Sequence, residues 1–255
     1  MKAVILAGGL GTRLSEETVI KPKPMVEIGG MPVLWHIMKM YSYHGINDFI
    51  VCLGYKGYYI KEFFYHYAVR HSDITIDFPN KETIFHNTYS EPWRVTLVDT
   101  GDKTLTGGRL KRVKEYVGNE TFCFTYGDGV SDVDITKVIE AHNNARKKVT
   151  LVAIMPQGRY GTLDLEGNTV KRFIEKPAQD TNYVNGGFFV LEPSVFEYIN
   201  NDSTTWEREP IEQLASEGNV QVYKHHGFWA AMDTLRDKHY LEELWDSGQA
   251  PWKKW

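Results

Sequence analysis

The sequence lacks most of the features that would name a chemistry at once. Its 255 residues hold only two cysteines, too few for a disulfide framework or a cysteine-rich metal site. Both fall inside apolar strand-like runs, "FIVCLGY" around Cys52 and "TFCFTYGDG" around Cys123, which fits reduced, buried thiols in a cytoplasmic protein. The histidines show neither HExxH nor zinc-ligand spacing, and no Ser/His/Asp or Cys/His arrangement suggests covalent catalysis. No apolar run approaches the ~20 residues of a membrane helix. The opening "MKAVILA" is too short for the apolar region of a signal peptide and runs directly into a glycine loop. A formal charge of −4 gives no general affinity for nucleic acid, so any phosphate ligand must be met by a local cluster of cations. There is no internal repeat, low-complexity tract or Ser/Gly linker at which to cut the chain, so it reads as a single domain over 1–255.

With 42% hydrophobic and 13% aromatic residues, the chain can bury a large core. It begins with an apolar strand, Ala3 to Leu6 with Ala7, followed at once by "GGLGTRL". Two familiar phosphate loops fail here. The dinucleotide fingerprint requires a third glycine where Leu14 stands, and a helix directly after it, whereas "SEETVIKPKP" follows. The Walker loop requires Gly-Lys-Ser/Thr where Thr12, Arg13 and Leu14 stand.

Strands and helices then alternate. Pro32 opens a helix whose Leu34, Ile37, Met38 and Tyr41 share a face before Gly45 ends it, and "DFIVCLGY" is the next strand. Ile60, Phe63, Phe64 and Tyr67 form an aromatic core-facing stripe on one further helix. Between Asp73 and Asp99 the period drops to two, which predicts small antiparallel strands added to the main sheet. Helices over "GRLKRVKEYVG" and "DITKVIEAHNNARKK" bracket the strand "ETFCFTYGDG". The strand "VTLVAIMP", a hairpin turning at Glu166 to Asn168 and the strand "GGFFVLEP" follow. A helix started by Pro210, the strand "NVQVYKH" and a closing helix entered at Thr234, with Asp237 at capping-box spacing, complete the chain. This order predicts a three-layer α/β fold with a mostly parallel sheet, which binds ligand beyond the C-terminal ends of its strands.

Residues at such ends are the candidates for chemistry. Gly8, Gly9 and Gly11 let backbone N–H groups converge on anionic oxygens, and Arg13 adds a guanidinium. Lys21 and Lys23 each precede a proline and are held extended. Asp128, between two glycines, and Asp233, just after an aromatic strand, are carboxylates suited to one hard divalent cation. If both are exposed and repel each other, replacing either changes fold stability little. Glu175 and Lys176 close the hairpin, and Asn185 with Gly186 offers polar contacts suited to sugar hydroxyls. Trp245, Trp252 and Trp255 crowd the polar C-terminus, which suggests a subunit contact and hence a homo-oligomer.

Taken together, "LAGGLGTRL", "KPKPM", "GDG", "EKP" and "NGG" resemble the sugar-1-phosphate nucleotidylyltransferases along essentially the whole chain. "VDTGDKTLTGGRLKR", "EPW", "GFWAAMDTLRDK" and "APWKKW" resemble the branch of that family that transfers cytidylyl groups to glucose 1-phosphate. The resemblance implies a Rossmann-like nucleotidyltransferase fold, with 1–150 mainly nucleotide-binding and 151–255 mainly sugar-binding. It implies that CTP and α-D-glucose 1-phosphate give CDP-glucose and pyrophosphate with Mg²⁺, supplying 3,6-dideoxyhexoses of surface lipopolysaccharide such as O-antigen. It assigns Leu6, Ala7, Gly8, Gly9, Leu10, Gly11, Thr12, Thr104, Arg109 and Gly127 to the nucleotide. Lys23 bridges the α-phosphate and the incoming phosphate, and Arg13 lies on the departing pyrophosphate. Lys176 meets the sugar phosphate, Glu175, Asn185 and Gly186 the sugar, and Asp128 and Asp233 the Mg²⁺. Thymidylyl or uridylyl transfer to the same sugar, or a nucleotide-sensing module without turnover, are the alternatives.

Overall fold

The computed structural model describes residues 1–86, 91–156, 162–166, 169–174 and 183–255. Seven strands make the main sheet: β1 (Lys2–Leu6), β2 (Asp48–Leu53), β3 (Arg94–Asp99), β4 (Phe122–Tyr126), β5 (Val149–Ile154), β6 (Val184–Leu191) and β7 (Val220–His225). Their order is β7-β5-β6-β4-β1-β2-β3. Only β6 runs antiparallel to its neighbours, so the sheet is mixed but mostly parallel, as the alternating pattern predicts.

Alternation along β1 shows how both faces are covered. Ala3 and Ile5 enter one core and Val4 the other, all wholly buried. The first core is completed by α1 (Val33–Tyr43), α2 (Gly57–Tyr65) and α4 (Ile135–Ala145), and the second by α3 (Thr106–Arg112) and α5 (Glu209–Ser216). The last helix, α6 (Leu235–Asp246), opens with the full capping box of Thr234 and Asp237. Cys52 and Cys123 are free and buried, and burial pushes both thiols up to about 12. Among the described residues no helix is long and apolar enough to cross a membrane.

Three expectations need correction. Of the period-two segment, Val95 and Leu97 lie in β3, which is a parallel edge strand. Among the described residues, Asp73–Asp77 and Glu82–His86 instead pair with each other alone, as a separate hairpin exposing Ile76, Phe78, Ile84 and Phe85. The aromatic helix is interrupted at His66, with Tyr67–His71 forming a second short helix. The aromatic C-terminus packs within its own chain: Trp252 is wholly buried, Trp245 stacks on it, and Trp255 meets Trp35 edge-on. Gly29 exists to admit Trp245, whose Nε1 would lie 1.9 Å from a Cβ there. The tryptophans are thus accounted for without a partner subunit.

His36 is the polar centre of this aromatic cluster. One ring nitrogen, Nε2, donates to the Ile28 carbonyl at 2.8 Å, while Nδ1 accepts from the Trp252 indole at 3.3 Å. The acceptor role requires the neutral ring, and burial lowers its pKa to about 4. A depressed histidine contributes stability that is present above its unfolded pKa and lost as pH falls through the folded one. Lowering the pH from 6.5 toward 4 should therefore remove up to about 3 kcal/mol and lower the melting temperature. A His36→Gln variant, whatever its starting stability, should show a visibly flatter dependence over that window in thermal melts.

Candidate active site

A cleft of about 1070 Å³ opens beyond the C-terminal ends of β1 and β4. β6, being antiparallel, begins at the same edge, so its first residues join the wall: Val184 pairs with Ile154 at the end of β5. Leu6, Ala7, Gly9, Leu10, Gly11 and Thr12 line the cleft, together with Lys23, Thr104, Arg109, Gly127, Asp128, Asn185, Gly186 and Asp233. The structure thus gathers residues separated by more than two hundred positions. Arg13 stands in a 3-10 turn, Thr12–Leu14, but its side chain lies outside the described residues, as do Glu175 and Lys176 altogether.

The glycine loop is shaped by neighbours as much as by any ligand. Gly8 does not line the cleft; a Cβ there would sit 2.1 Å from the Arg109 guanidinium, and one on Gly54 2.3 Å from it. Arg109 is buried, and burial lowers its pKa from the ordinary value. It donates to Leu53 O at 3.0 Å, Thr100 Oγ1 at 2.8 Å, Gly8 O at 3.0 Å and Asp102 O at 3.2 Å. Arg109 thereby ties the ends of β1, β2 and β3 into one rigid rim. Gly11 has φ +64, and its carbonyl meets the Thr18 hydroxyl at 3.1 Å. Contrary to the expectation that no helix follows the loop, the 3-10 turn leads into one helical turn, Ser15–Thr18, before the Lys-Pro segment.

The two lysines of that segment separate. Lys21 pairs with Glu27 at 2.9 Å and stays outside the cleft. Lys23, in the 3-10 turn Lys23–Met25, is only 8% exposed and reaches both acidic candidates: its Nζ lies 2.7 Å from Asp128 Oδ2 and 2.7 Å from Asp233 Oδ1. Asp233 does not follow a strand of the main sheet. It follows Trp229–Ala231, which pairs antiparallel with Gly129–Ser131, so that Asp128 and Asp233 stand together at one end of a short ribbon, closed by Met232 N on Asp128 O at 2.9 Å. Helix entry is capped by Thr234 and Asp237, which leaves Asp233 turned to Lys23. The carboxylates are therefore held by a cation and not left in repulsion.

Two carboxylate oxygens converging on one position fit a hard cation whose remaining ligands come from substrate and water, the pattern preferred by Mg²⁺. Among the described residues no third acidic, histidine or cysteine ligand joins them, so they form no complete cage.

The sequence reading missed part of the wall: Tyr55, Thr106, Tyr126 and Trp229 also line the cleft. Trp229 donates to Gly186 O at 2.7 Å and fixes the start of β6. Tyr126 is held neutral by burial and by the neighbouring Glu207, which both raise its pKa. Its place just before "GDG" at a strand end was a signal for the cleft; Glu207, in the loop before α5, carried none.

This geometry agrees with the comparison by sequence. The profile of the nucleotidyl transferase family matches residues 2–237. The chain belongs to that family. It is 61% identical over 256 residues to glucose-1-phosphate cytidylyltransferase of Salmonella typhi, covering 100% of both chains. It is 45% identical, again over 100% of both, to a probable glucose-1-phosphate cytidylyltransferase of Bacillus subtilis. Among solved structures, HddC from Yersinia pseudotuberculosis superposes with TM-score 0.69 at 25% identity, covering 96% of this chain and 99% of that one. An apo UDP-glucose pyrophosphorylase superposes with TM-score 0.70 at 15% identity, covering 97% and 98%, and shares the fold. The nucleotidyltransferase fold expected from the motifs is the one observed.

Replacing Asp128 or Asp233 with Asn removes a charge from the cluster but keeps an acceptor for Lys23. Each variant should lose roughly 10²-fold in turnover, about 2.7 kcal/mol of transition-state stabilisation. Each should also lose about 1 kcal/mol of stability, because the charge-assisted bond to a buried ammonium is weakened. Pyrophosphate release and thermal melts on both variants check this; unchanged turnover in either removes that residue from the chemistry.

Proposed function

We propose that the chain transfers the cytidylyl group of CTP to α-D-glucose 1-phosphate, forming CDP-glucose and releasing pyrophosphate. The observation that carries the reading is a glycine-loop cleft whose floor holds one lysine between two aspartates, in a chain alike over its full length to the Salmonella and Bacillus cytidylyltransferases. An oxygen of the sugar phosphate is already anionic at neutral pH. It attacks the α-phosphorus in line, the bond from that phosphorus to the bridging oxygen breaks, and pyrophosphate leaves without any proton being removed. What the protein must do is align two anions and neutralise their repulsion.

In this reading Lys23 exchanges its carboxylates for the α-phosphate and the incoming phosphate, while Arg13 stabilises the departing pyrophosphate and Lys176 the sugar phosphate. Mg²⁺ held by Asp128 and Asp233 would supply charge neutralisation at the triphosphate. The loop Leu6–Thr12, Thr104 and Gly127 receive the nucleotide; Gly8 and Arg109 serve it by holding the rim. Asn185, Gly186 and Glu175 take the sugar. The reading places the enzyme in the cytoplasm, ahead of CDP-linked dideoxyhexoses for surface lipopolysaccharide. It includes a homo-oligomer, for which the exposed apolar residues of the hairpin Asp73–His86 offer a surface.

Pyrophosphate release should be fastest with CTP and glucose 1-phosphate when the four ribonucleotides and dTTP are paired with several sugar phosphates. Equal or faster release from dTTP or UTP would move the assignment to the thymidylyl or uridylyl reading. Binding without any release would make the chain a nucleotide sensor.

A further inference from the structure

Behind the wall of the cleft stands a carboxylate that the motifs do not reach. Glu207 accepts the Tyr126 hydroxyl on Oε1 at 2.5 Å and the Thr106 hydroxyl on Oε2 at 2.6 Å. Thr106, Tyr126 and Asn185 line the cleft, and Glu207 does not. Tyr126 has one hydroxyl proton. Once it is given to Glu207, the phenol oxygen is only an acceptor, and Asn185 Nδ2 lies 3.4 Å from it. The other end of the same amide is held as well, since Asn185 Oδ1 accepts Gly187 N at 2.8 Å. The amide is therefore oriented at both ends and keeps one N–H for a further acceptor.

The loop carrying Glu207 is itself locked onto α3. Leu105 N donates to Asp202 O at 2.8 Å, Gly108 N to Thr204 O at 3.2 Å, and Trp206 N to Thr106 Oγ1 at 2.9 Å. Two adjacent glycines make the approach possible, because a Cβ on Gly107 would lie 2.8 Å from Thr204 O and one on Gly108 2.5 Å from Asp202 O. Gly187 does the same for the ring of Tyr126, with φ +79 and a Cβ position only 2.7 Å from its Cδ2. Three glycines and bonded loops thus hold a hydrogen-bond chain that runs Glu207, Tyr126, Asn185 and ends in the cleft.

We infer that Glu207, acting through Tyr126, is a positioning residue that fixes the Asn185 amide with an N–H free to donate to one hydroxyl of the sugar phosphate. This rests on the sugar-phosphate reading of the cleft. Glu207→Gln can present an N–H to Tyr126, which then turns its own proton toward Asn185 Nδ2, so that two donors meet. Tyr126→Phe deletes the acceptor outright.

The test is steady-state kinetics of the full-length enzyme, with glucose 1-phosphate and its monodeoxy analogues each varied against CTP. Both variants should raise KM for glucose 1-phosphate about tenfold, the effect of one lost hydrogen bond, while KM for CTP stays within about twofold. For one analogue, the one lacking the hydroxyl that Asn185 holds, variants and wild type should have the same KM. A penalty equal for every analogue, a parallel rise in KM for CTP, or no change at all overturns the inference. So does loss of fold in both variants by circular dichroism, which would make Glu207 part of the scaffold. A wild-type enzyme inactive on CTP with glucose 1-phosphate sinks the underlying reading instead.

Discussion

The site depends on one ammonium group. Lys23 enters the cleft from a short turn and meets Asp128 and Asp233, which stand together at one end of a short two-stranded ribbon. Without a cation between them, two carboxylates converging in a partly buried cleft would repel strongly, since burial lowers the effective dielectric. Lys23 offsets that repulsion while leaving the cluster one negative charge in excess. In the proposed reading the same position is that of a divalent ion, with which an ammonium cannot share it. Binding of a phosphate-bearing substrate, which offers the lysine new anionic partners, therefore bears directly on access to the carboxylates.

The second constraint is the buried guanidinium of Arg109. Four acceptors from three strand ends converge on it, and the glycines at 8 and 54 leave the space it fills. The start of the glycine loop is anchored from behind, because Arg109 donates to the Gly8 carbonyl. A preformed loop spares the ordering of backbone at the moment of binding. The glycines of "GGLGTR" serve different ends: Gly8 admits Arg109, Gly11 supplies a left-handed turn against Thr18, and Gly9 lines the cleft.

The fold was legible because the five inner strands of the main sheet are largely buried on both faces and read as apolar runs, each followed by a turn or a helix start. The lining of the cleft was legible where residues closely follow strands, as Asp128 does, or belong to a short motif, as Lys23 does. Asp233 does line the cleft, but its route there differs from the expected one: antiparallel pairing of Trp229–Ala231 with Gly129–Ser131 is a long-range contact that no local pattern announces. Glu207 was silent for the same reason, being a polar residue in a loop whose partners lie about eighty and a hundred positions away. The aromatic C-terminus misled because exposure was inferred from its polar surroundings, whereas His36 and Gly29 had prepared a place for Trp252 and Trp245.

The most direct test of the central claim is the affinity of the nucleotide-free protein for Mn²⁺, measured by electron paramagnetic resonance for the wild type and for Lys23→Met. If Lys23 holds the position between Asp128 and Asp233, the wild type binds the ion weakly and the variant binds it at least about tenfold more tightly, since a like charge has been removed from the site. Equal or weaker binding by a folded Lys23→Met protein would contradict the account.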